Sequence, residues 1–362
     1  MSARISFDQF PLATLCRRLT ELGDDAGGLD RWPLAGLAAC GDAGVFRWFH
    51  GSEQGGWEWP ETDVLRGYLA LSAACLTTTF VITQRTAACQ RIERSDNAAL
   101  GRRWLPRLVS GELFATVGIS HLTTSRQHLA PVMRAERTAG GYLLDGFSPW
   151  VTGARHAALI VTGATLADGD QLLVALPTDR EGVSIPEPMS LVALSASATG
   201  EVHCRRTFVA DDEILFGPRP NVMQAGAGGG TGGLQTSTLA LGTAHAGIAA
   251  LRQEGERRPE LVRIADAFRR RFDELVAMLE SLASGVPSGS TERLRRESND
   301  LALQATQAAL AAVKGSGFTA GHPVGRRAIE ALFFLVWSCP RGVVDAHLCD
   351  WSAADTILPA GD

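Results

Sequence analysis

The stretch GRRWLPRLVSGELFATVGIS, residues 101–120, decides the fold because the hydrophobic periodicity of the chain changes within it. Upstream of it, apolar residues recur at spacings of three and four, which is typical of amphipathic helices. From Phe114 onward, short apolar runs such as ATVGI, AALIVTG and QLLVALP are separated by glycine, Asp-Gly and proline, which indicates strands and turns. The sequence therefore predicts helices up to about residue 112 and a strand-rich segment beyond it.

A second change of texture occurs at AGAGGGTGG, residues 225–233, because so many glycines hold regular structure only at a high entropic cost. Helical periodicity then returns. One apolar stripe is formed by Ile264, Phe268, Phe272, Leu275 and Leu279, and further helices are predicted over 299–313 and 326–337. The predicted organisation is a helical domain (1–112), a β-domain (113–224), a glycine-rich linker (225–233) and a second helical domain (234–362).

Composition and charge exclude several functional classes. The chain is 45% hydrophobic and 20% charged with a formal net charge of -5, so nothing in its charge favours nucleic acid or an anionic membrane. The uncharged segment between Arg66 and Arg85 contains many hydroxyls, which predicts a buried core helix and not a membrane span. We therefore expect a globular protein with neither a membrane nor a nucleic acid as its partner.

The seven cysteines are scattered and never spaced as C-x-x-C. This pattern predicts reduced thiols, a cytoplasmic location and no structural metal site. The first residues mix charges with apolar side chains and do not read as a secretory signal.

The helix, sheet, helix order prompts a comparison, and five segments taken in order resemble the acyl-CoA dehydrogenase superfamily. They are residues 101–120, GYLLDGFSPWVTGA (141–154), SATGEVHCRRTFVADDEILFG (197–217), LALGTAHAGIAAL (239–251) and KGSGFTAGHPVGR (314–326). The resemblance implies an α+β protein with an N-terminal helical domain, a middle β-barrel or sandwich and a C-terminal four-helix bundle. It also implies FAD as cofactor and an acyl or acyl-CoA-like small molecule as substrate.

The flavin site implied by this resemblance is only partly kept. Trp150 and Thr152 match the family's Trp-x-Thr, whose ring packs near the flavin and whose hydroxyl lies near its N5. Where the family has Thr-Glu-Pro-x-x-Gly-Ser-Asp, this chain has ISHLTTSR, with Arg126 in place of the acid. Four candidate flavin contacts remain there: Ser120, Thr123, Thr124 and Ser125. The histidines beside them, His121 and His128, are interpreted as surface residues.

In this family a neighbouring subunit also contacts FAD. Its Arg-x-x-Phe-Gly segment has no counterpart here, whereas its Gly-Gly-x-Gly-Phe turn is matched by KGSGF with Gly315 and Gly317. The resemblance therefore implies a homodimer or homotetramer in which FAD is bound weakly or not at all.

The family's catalytic glutamate is not matched at either position where members carry it. One position aligns with Ser338, in WSCP, and the other aligns with Ser237, in QTSTLALG. His245, eight residues beyond Ser237, is the remaining candidate base, although a core or interface histidine is its plainer interpretation. Glu330 lies about 12 Å along a helix from Ser338, too far to substitute, and Cys339 is interpreted as a buried inert thiol.

Three functions stay open from these residues. The first is an acyl-CoA dehydrogenase-like flavoprotein oxidoreductase whose usual base is replaced. The second is a flavin-dependent monooxygenase of the same fold, whose chemistry does not require the glutamate. The third is a member that has lost flavin and acts as a binding subunit in a larger assembly.

Overall fold

A computed structural model describes residues 4–25, 31–123, 130–224, 233–286, 289–337 and 341–352. The described residues of Met1–Pro60 and Thr77–Gly230 pack into one compact unit, here the sheet unit. Those of Glu61–Leu76 and Thr231–Asp362 pack into a second, here the bundle unit. The predicted linker lies outside the described residues except for Gly233, and the division of the chain at residues 112, 224 and 233 stays a prediction.

Helices occupy most of the chain up to residue 109. They are α1 (Leu12–Asp25), α2 (Leu34–Ala43), α3 (Glu61–Ala74), α4 (Leu76–Glu93) and α5 (Ala98–Val109). The segment between Arg66 and Arg85 holds parts of two helices that meet at Cys75, so α3 and α4 join different units. Among the described residues, no helix combines the length and the apolar character that a membrane crossing requires.

The sheet unit is built on one mixed sheet of eight strands. They are β1 (Ala115–Gly118), β2 (Met133–Thr138), β3 (Gly141–Val151), β4 (Leu159–Thr165), β5 (Gln171–Pro177), β6 (Val183–Ser184), β7 (Gly200–Ala210) and β8 (Ile214–Arg219). Their order is β6-β7-β3-β2-β4-β5-β8, and β1 runs parallel to β4. The long strands β3 and β7 are antiparallel, with Val151 opposite Gly200. This register brings the end of β3 beside the residues that precede β7.

The core of the sheet unit explains why its central strands read as continuous apolar runs. Strands β4 and β5 are buried along almost their whole length. On one face, Leu159 and Leu173 pack with Ile92 of α4 and Leu105 of α5. On the other face, Leu172 and other alternate residues of these strands pack against β2 and β3. A strand covered on both faces has no polar side to alternate with its apolar one.

The bundle unit contains α3 and the helices that follow residue 233. They are α6 (Leu234–Gly255), α7 (Glu260–Ala283), α8 (Thr291–Val313), α9 (Pro323–Ala331) and α10 (Arg341–Ser352). Helix α6 packs against α3, α7 and α8, which makes a four-helix core with one helix from early in the chain. Helices therefore precede and follow a mixed sheet, which confirms the predicted α+β class.

Helix boundaries in the bundle unit differ in detail from those that the hydrophobic periodicity predicts. Helix α8 starts eight residues before its predicted start, because the Ser290 hydroxyl accepts a hydrogen bond from the Arg293 amide at 3.0 Å and caps it. Helix α9 starts at Pro323 after the His322 cap and gives way to a short 3-10 turn at Leu332. Ile264 is 44% exposed, so the buried stripe of α7 is carried by the later residues of the predicted set.

Gly242 is required by the close crossing of α3 and α6. A Cβ at this position lies 2.5 Å from the Leu69 carbonyl oxygen, which is backbone and cannot move aside. We expect Gly242→Ala to lower the free energy of unfolding by about 2 kcal/mol through overpacking, measured by urea denaturation. Gly101→Ala in α5 is the matched control. Its Cβ meets only the Leu105 side chain, at 3.5 Å, so the better helix propensity of alanine should leave stability unchanged or raised. Equal costs in the two variants would contradict the prediction.

Candidate active site

The end of β3 carries an exposed aromatic ring followed by a buried hydroxyl. The Trp150 side chain is 47% exposed, which is unusual for so large an apolar group. Thr152 is only 4% exposed, and its hydroxyl lies 3.0 Å from the Thr199 hydroxyl. The Ser197 hydroxyl lies 2.8 Å from the same Thr199 oxygen. Three hydroxyls thus form a short buried chain next to an exposed ring.

The loop that holds these hydroxyls is conformationally strained. Leu194 and Ala198 have φ of 61° and 48°, in the left-handed region that residues with a Cβ rarely adopt. The Gly153 amide donates to the carbonyls of Ser197 and Ala198 at 3.0 and 3.1 Å, which ties the loop to the end of β3. Such strain persists only where surrounding contacts enforce it, and it clusters at functional sites.

The turn after β1 supplies an unsatisfied hydroxyl. Ser120 starts a short 3-10 turn, and its buried Oγ has no hydrogen-bond partner within the part of the chain that the structure describes. The Thr123 hydroxyl donates to the Ser120 carbonyl at 3.3 Å. Of the other predicted contacts in this loop, Thr124 and Ser125 lie outside the described residues, as do Arg126 and His128. The two described residues therefore leave one donor or acceptor for a ligand, on Ser120.

His121 is buried, which corrects its interpretation as a surface residue. Its Nε2 lies 2.9 Å from the Gly163 carbonyl, and since a carbonyl only accepts, this nitrogen carries the hydrogen. Nδ1 is then the acceptor for the Ser148 hydroxyl, 3.5 Å away. Burial lowers the pKa of His121, against the opposing effect of the Gly163 bond. The ring is therefore a neutral support for the Ser120 turn and not a proton carrier.

Ser237 occupies one of the two predicted base positions, on α6 in the bundle unit. It is 1% exposed, and its Oγ has no hydrogen-bond partner among the described residues. Ser338, at the other position, and Cys339 lie outside the described residues. A serine hydroxyl does not take up a proton at neutral pH without a neighbouring base, so Ser237 by itself supplies no general base.

His245 lies on α6, about 12 Å along the helix from Ser237. Its ring stacks on Phe272 of α7 with centroids 5.2 Å apart. Burial lowers the pKa of His245, and Arg269 lowers it further. A neutral imidazole can accept a proton, but this one packs against α7, which fits the plainer interpretation of a core histidine.

Two polar residues of α8 hold the chain just before Ser338, and the sequence analysis missed both. Arg295 is 1% exposed and donates from Nη2 to the Trp337 carbonyl at 2.7 Å. Asn299, one helical turn later, donates to the Phe334 carbonyl at 2.9 Å. An arginine and an asparagine at a spacing of four, on a helix face that also carries leucine and alanine, were the available signal. They fix the backbone that leads into the predicted base position.

The glycine turn predicted from KGSGF is present after α8, as a 3-10 turn over Lys314–Phe318. Gly317 is buried, and a Cβ there lies 2.4 Å from a Val313 methyl group. Gly315 is open, with nothing within 4 Å of its Cβ position. Phe318 follows with 86% of its surface exposed. Glu330 is buried, with a carboxylate oxygen 3.7 Å from the Arg326 guanidinium, so it already has a charged partner.

The described residues divide the chemistry between the units. The sheet unit offers the Trp150 ring and several hydroxyl groups. In the bundle unit, Ser237, at the predicted base position that the structure describes, offers only a neutral hydroxyl. No group of three or more histidine, cysteine, aspartate or glutamate side chains among the described residues is placed to hold a metal ion.

Comparison with known sequences gives partial matches. No protein-family model matches the chain. It is 26% identical over 129 residues to mitochondrial isovaleryl-CoA dehydrogenase of Arabidopsis thaliana, which covers 34% of this chain and 32% of that protein. It is 24% identical over 241 residues to benzylmalonyl-CoA dehydrogenase of Aromatoleum aromaticum, which covers 64% of this chain and 59% of that protein. The alignments thus span from about a third to three fifths of these relatives.

Comparison with solved structures covers nearly the whole chain. The glutaryl-CoA dehydrogenase–glutaryl-CoA complex matches with a TM-score of 0.80 at 15% identity, over 100% of this chain and 99% of that one. TdsC from Paenibacillus sp. A11-2, solved with FMN and indole, matches with a TM-score of 0.79 at 14% identity, over 96% of this chain and 98% of that one. These similarities establish a shared fold.

Proposed function

This chain belongs to the acyl-CoA dehydrogenase superfamily, and we propose that it is a flavin-dependent oxidoreductase of an acyl or acyl-CoA-like substrate that works without the usual glutamate base. The observation that carries the proposal is the pairing of two features. The polar and aromatic groups suited to a flavin are present in the sheet unit, while a neutral serine stands at the described base position.

The sheet unit fits a flavin on its own residues. Ser120 has a buried hydroxyl with no partner in the described chain, which a polar group of a flavin could satisfy. Trp150 presents a broad apolar ring to solvent two residues from the buried hydroxyl of Thr152. When bound, a flavin supplies the redox chemistry, by accepting or giving a hydride or single electrons. We propose FAD as the flavin, held weakly because one of the two subunit-crossing elements is missing.

The protein's own residues bind and orient in this proposal. Trp150 covers the cofactor ring, the Thr152 hydroxyl holds the ring edge, and Ser120, Thr123, Thr124 and Ser125 supply hydrogen bonds to its polar parts. Gly315 and Gly317 allow close approach of backbone to a neighbouring subunit's cofactor. Arg295 and Asn299 hold the backbone before Ser338, which sets where substrate meets the bundle unit.

The reaction class follows from the missing carboxylate. Removing an acidic proton from the substrate needs a positioned base, whose loss costs about 10² to 10⁴ in rate. We therefore propose that Ser237 takes no proton from the substrate, so that any oxidation that requires removal of that proton is slow in this protein. A monooxygenase reaction is the second candidate, favoured by the same serine because that chemistry does not require the glutamate. A flavin-free binding subunit is the third.

One absorption experiment separates these functions. The purified protein is scanned near 450 nm, then titrated with FAD and with FMN, each in oxidised and in reduced form. A bound oxidised flavin supports the oxidoreductase. Uptake of reduced flavin alone supports the monooxygenase, in which a separate reductase supplies the cofactor. If no form of either flavin binds, both proposals fail and the binding subunit remains.

We also propose a cytoplasmic homodimer or homotetramer that assembles through the bundle unit. The described cysteines are free thiols, in keeping with a reducing compartment. Phe318 and Val336 expose 86% and 77% of their surface, and burying one such apolar side chain contributes about 2 kcal/mol.

We expect Phe318→Asp to weaken self-association about 30-fold, because it removes a buried ring and adds a charge at the interface. Light scattering across a dilution series measures the change. The matched control is Leu34→Asp, which alters an exposed leucine of the sheet unit. A wild-type mass of 38.5 kDa at micromolar concentration would contradict the oligomer.

A further inference from the structure

Three buried side-chain oxygens of the bundle unit have no hydrogen-bond partner within the described part of the chain. They are Ser237 Oγ on α6 and, on α8, Ser298 Oγ and Asn299 Oδ1, and none of these residues is more than 1% exposed. Folded proteins leave few buried polar atoms unpaired, because each such atom has lost its bonds to water without replacement. These three oxygens are therefore open to a partner from outside the chain.

Helices α6 and α8 run parallel where they touch. A Cβ at Gly247 on α6 would lie 2.9 Å from the carbonyl carbon of Ala305 on α8, so the two backbones meet at this point. Four residues further along both helices, Leu251 packs in one cluster with Ala309. Residues that precede the crossing by similar numbers on the two helices therefore lie at the same end of the bundle unit.

The three unpaired oxygens lie together at that end. Ser237 precedes Gly247 by ten residues, and Ser298 and Asn299 precede Ala305 by seven and six. With a rise of 1.5 Å per residue, the three side chains lie within about 6 Å of one another along the helix axes. Residues seven apart share nearly the same side of a helix, so Ser298 faces α6 as Ala305 does. We call these three atoms the oxygen cluster.

Asn299 determines what a partner of the oxygen cluster must offer. Its Nδ2 lies 2.9 Å from the Phe334 carbonyl, and because a carbonyl only accepts, this orientation of the amide is fixed. The unpaired Oδ1 is itself only an acceptor, so its partner must donate a hydrogen bond. The serine hydroxyls can donate or accept. A hydroxyl or an amino group meets these requirements, whereas a hydrocarbon, a thioester carbonyl or a carboxylate does not.

We propose that the oxygen cluster selects a substrate whose acyl part carries a hydroxyl or an amino group, which donates a hydrogen bond to Asn299 Oδ1. The inference rests on the proposed function, which brings the substrate to the bundle unit at the predicted base positions. An unsubstituted acyl chain at the cluster excludes water and leaves the oxygens unpaired. A site built to bond a polar group discriminates against the analogue that lacks it.

The test measures the affinity of the flavin-reconstituted protein for butyryl-CoA and for its 2-hydroxy, 3-hydroxy and 3-amino derivatives by isothermal titration calorimetry. We expect at least one derivative to bind about tenfold more tightly than butyryl-CoA, the effect of one net hydrogen bond. Ser298→Ala and Ser237→Ala should each reduce this preference to about threefold. The variants keep the amide of Asn299, which also holds the Phe334 carbonyl.

Urea unfolding without ligand separates substrate recognition from a structural role. Ser298→Ala removes a hydroxyl that has no partner in the described chain, so the urea midpoint should stay the same or rise while the preference falls. A hydroxyl that bonds an ordered water or supports the fold would lower the midpoint when removed. Thr306→Val is the matched control on α8, because the Thr306 hydroxyl already donates to the Ala302 carbonyl at 2.7 Å. Its preference should equal that of the wild type.

Three results would overturn the inference. They are equal affinity for butyryl-CoA and all three derivatives, a preference that both serine variants retain in full, and a lower urea midpoint for Ser298→Ala. Flavin uptake, read near 450 nm in the same samples, would leave the proposed oxidoreductase intact in each case. If none of the thioesters binds, the inference and the acyl substrate of the proposed function fail together.

Discussion

Saturated acyl-CoA thioesters are expected to bleach the flavin of the reconstituted protein about 10² to 10⁴ times more slowly than they bleach a variant with the family carboxylate restored. The reason is the hydroxyl at Ser237, buried on α6 without a hydrogen-bond partner in the described chain, at one of the two positions where the sequence analysis predicts that a base is missing. A positioned base contributes this factor, equivalent to about 3 to 5 kcal/mol of activation free energy. The measurement is stopped-flow absorbance near 450 nm, comparing the wild type with Ser237→Glu and Ser338→Glu.

The neutral variants Ser237→Gln and Ser338→Gln match the size of glutamate and control for crowding at each position. Burial raises the pKa of an introduced carboxyl, so the comparison runs at pH 8 and above, where more of it is ionised. A gain in both Glu and Gln variants would point to a steric effect. Rapid bleaching in the wild type would contradict the missing base and direct attention to His245.

The fold was predictable because its signals are local and repeated. The change from helical to strand periodicity near residue 112 coincides with the end of α5 at Val109 and the start of β1 at Ala115. The assignment of α3 to the bundle unit was not predictable, since it depends on contacts such as the Ser72 hydroxyl with the Leu239 carbonyl, 167 positions apart. Periodicity reports which face of a helix is buried and says nothing about its partner.

The residues of the candidate site stay predictions, and the sequence says little about the environments in which the structure places them. The motif comparison identified Trp150 and Thr152, but the partnership of Thr152 with Thr199 arises from the register that sets Val151 opposite Gly200. His121 was misinterpreted because its acceptor is the backbone carbonyl of Gly163. Every residue has such a carbonyl, so the sequence does not indicate which one a histidine will bond. Arg295 was missed for a similar reason, as its partner is the backbone of Trp337.

Replacing Glu93 by glutamine is expected to lower the free energy of unfolding by about 3 kcal/mol at pH 6 and by about 1 kcal/mol at pH 9. His50 is fully buried, with Nδ1 2.9 Å from a Glu93 carboxylate oxygen, and the other carboxylate oxygen accepts from the Gly51 amide at 3.0 Å. Removing one partner of a buried ion pair costs about 3 to 5 kcal/mol, whereas a neutral hydrogen bond contributes about 1 kcal/mol.

The pH window follows from the direction of each pKa shift. Burial alone lowers the pKa of His50, but its hydrogen bonds with Cys89 and Glu93 outweigh burial and raise it above 6.5. Burial raises the pKa of Glu93, and the His50 bond outweighs it and lowers the pKa below 4.5. The His50 contribution is complete below pH 6.5 and is lost as pH rises through its raised pKa. The Glu93 contribution is complete above pH 4.5, so at pH 6 both groups are charged in the folded protein.

Urea unfolding of wild type and Glu93→Gln at the two pH values tests this, with Cys89→Ser added because Cys89 also raises the pKa of His50. Glu112→Gln is the matched control, since Glu112 pairs with Arg107 on the surface and such pairs contribute between 0 and about 1 kcal/mol. Its cost should be small at both pH values. If Glu93→Gln costs only about 1 kcal/mol at both pH 6 and pH 9, His50 is uncharged in the folded protein at both, and the buried ion pair does not exist.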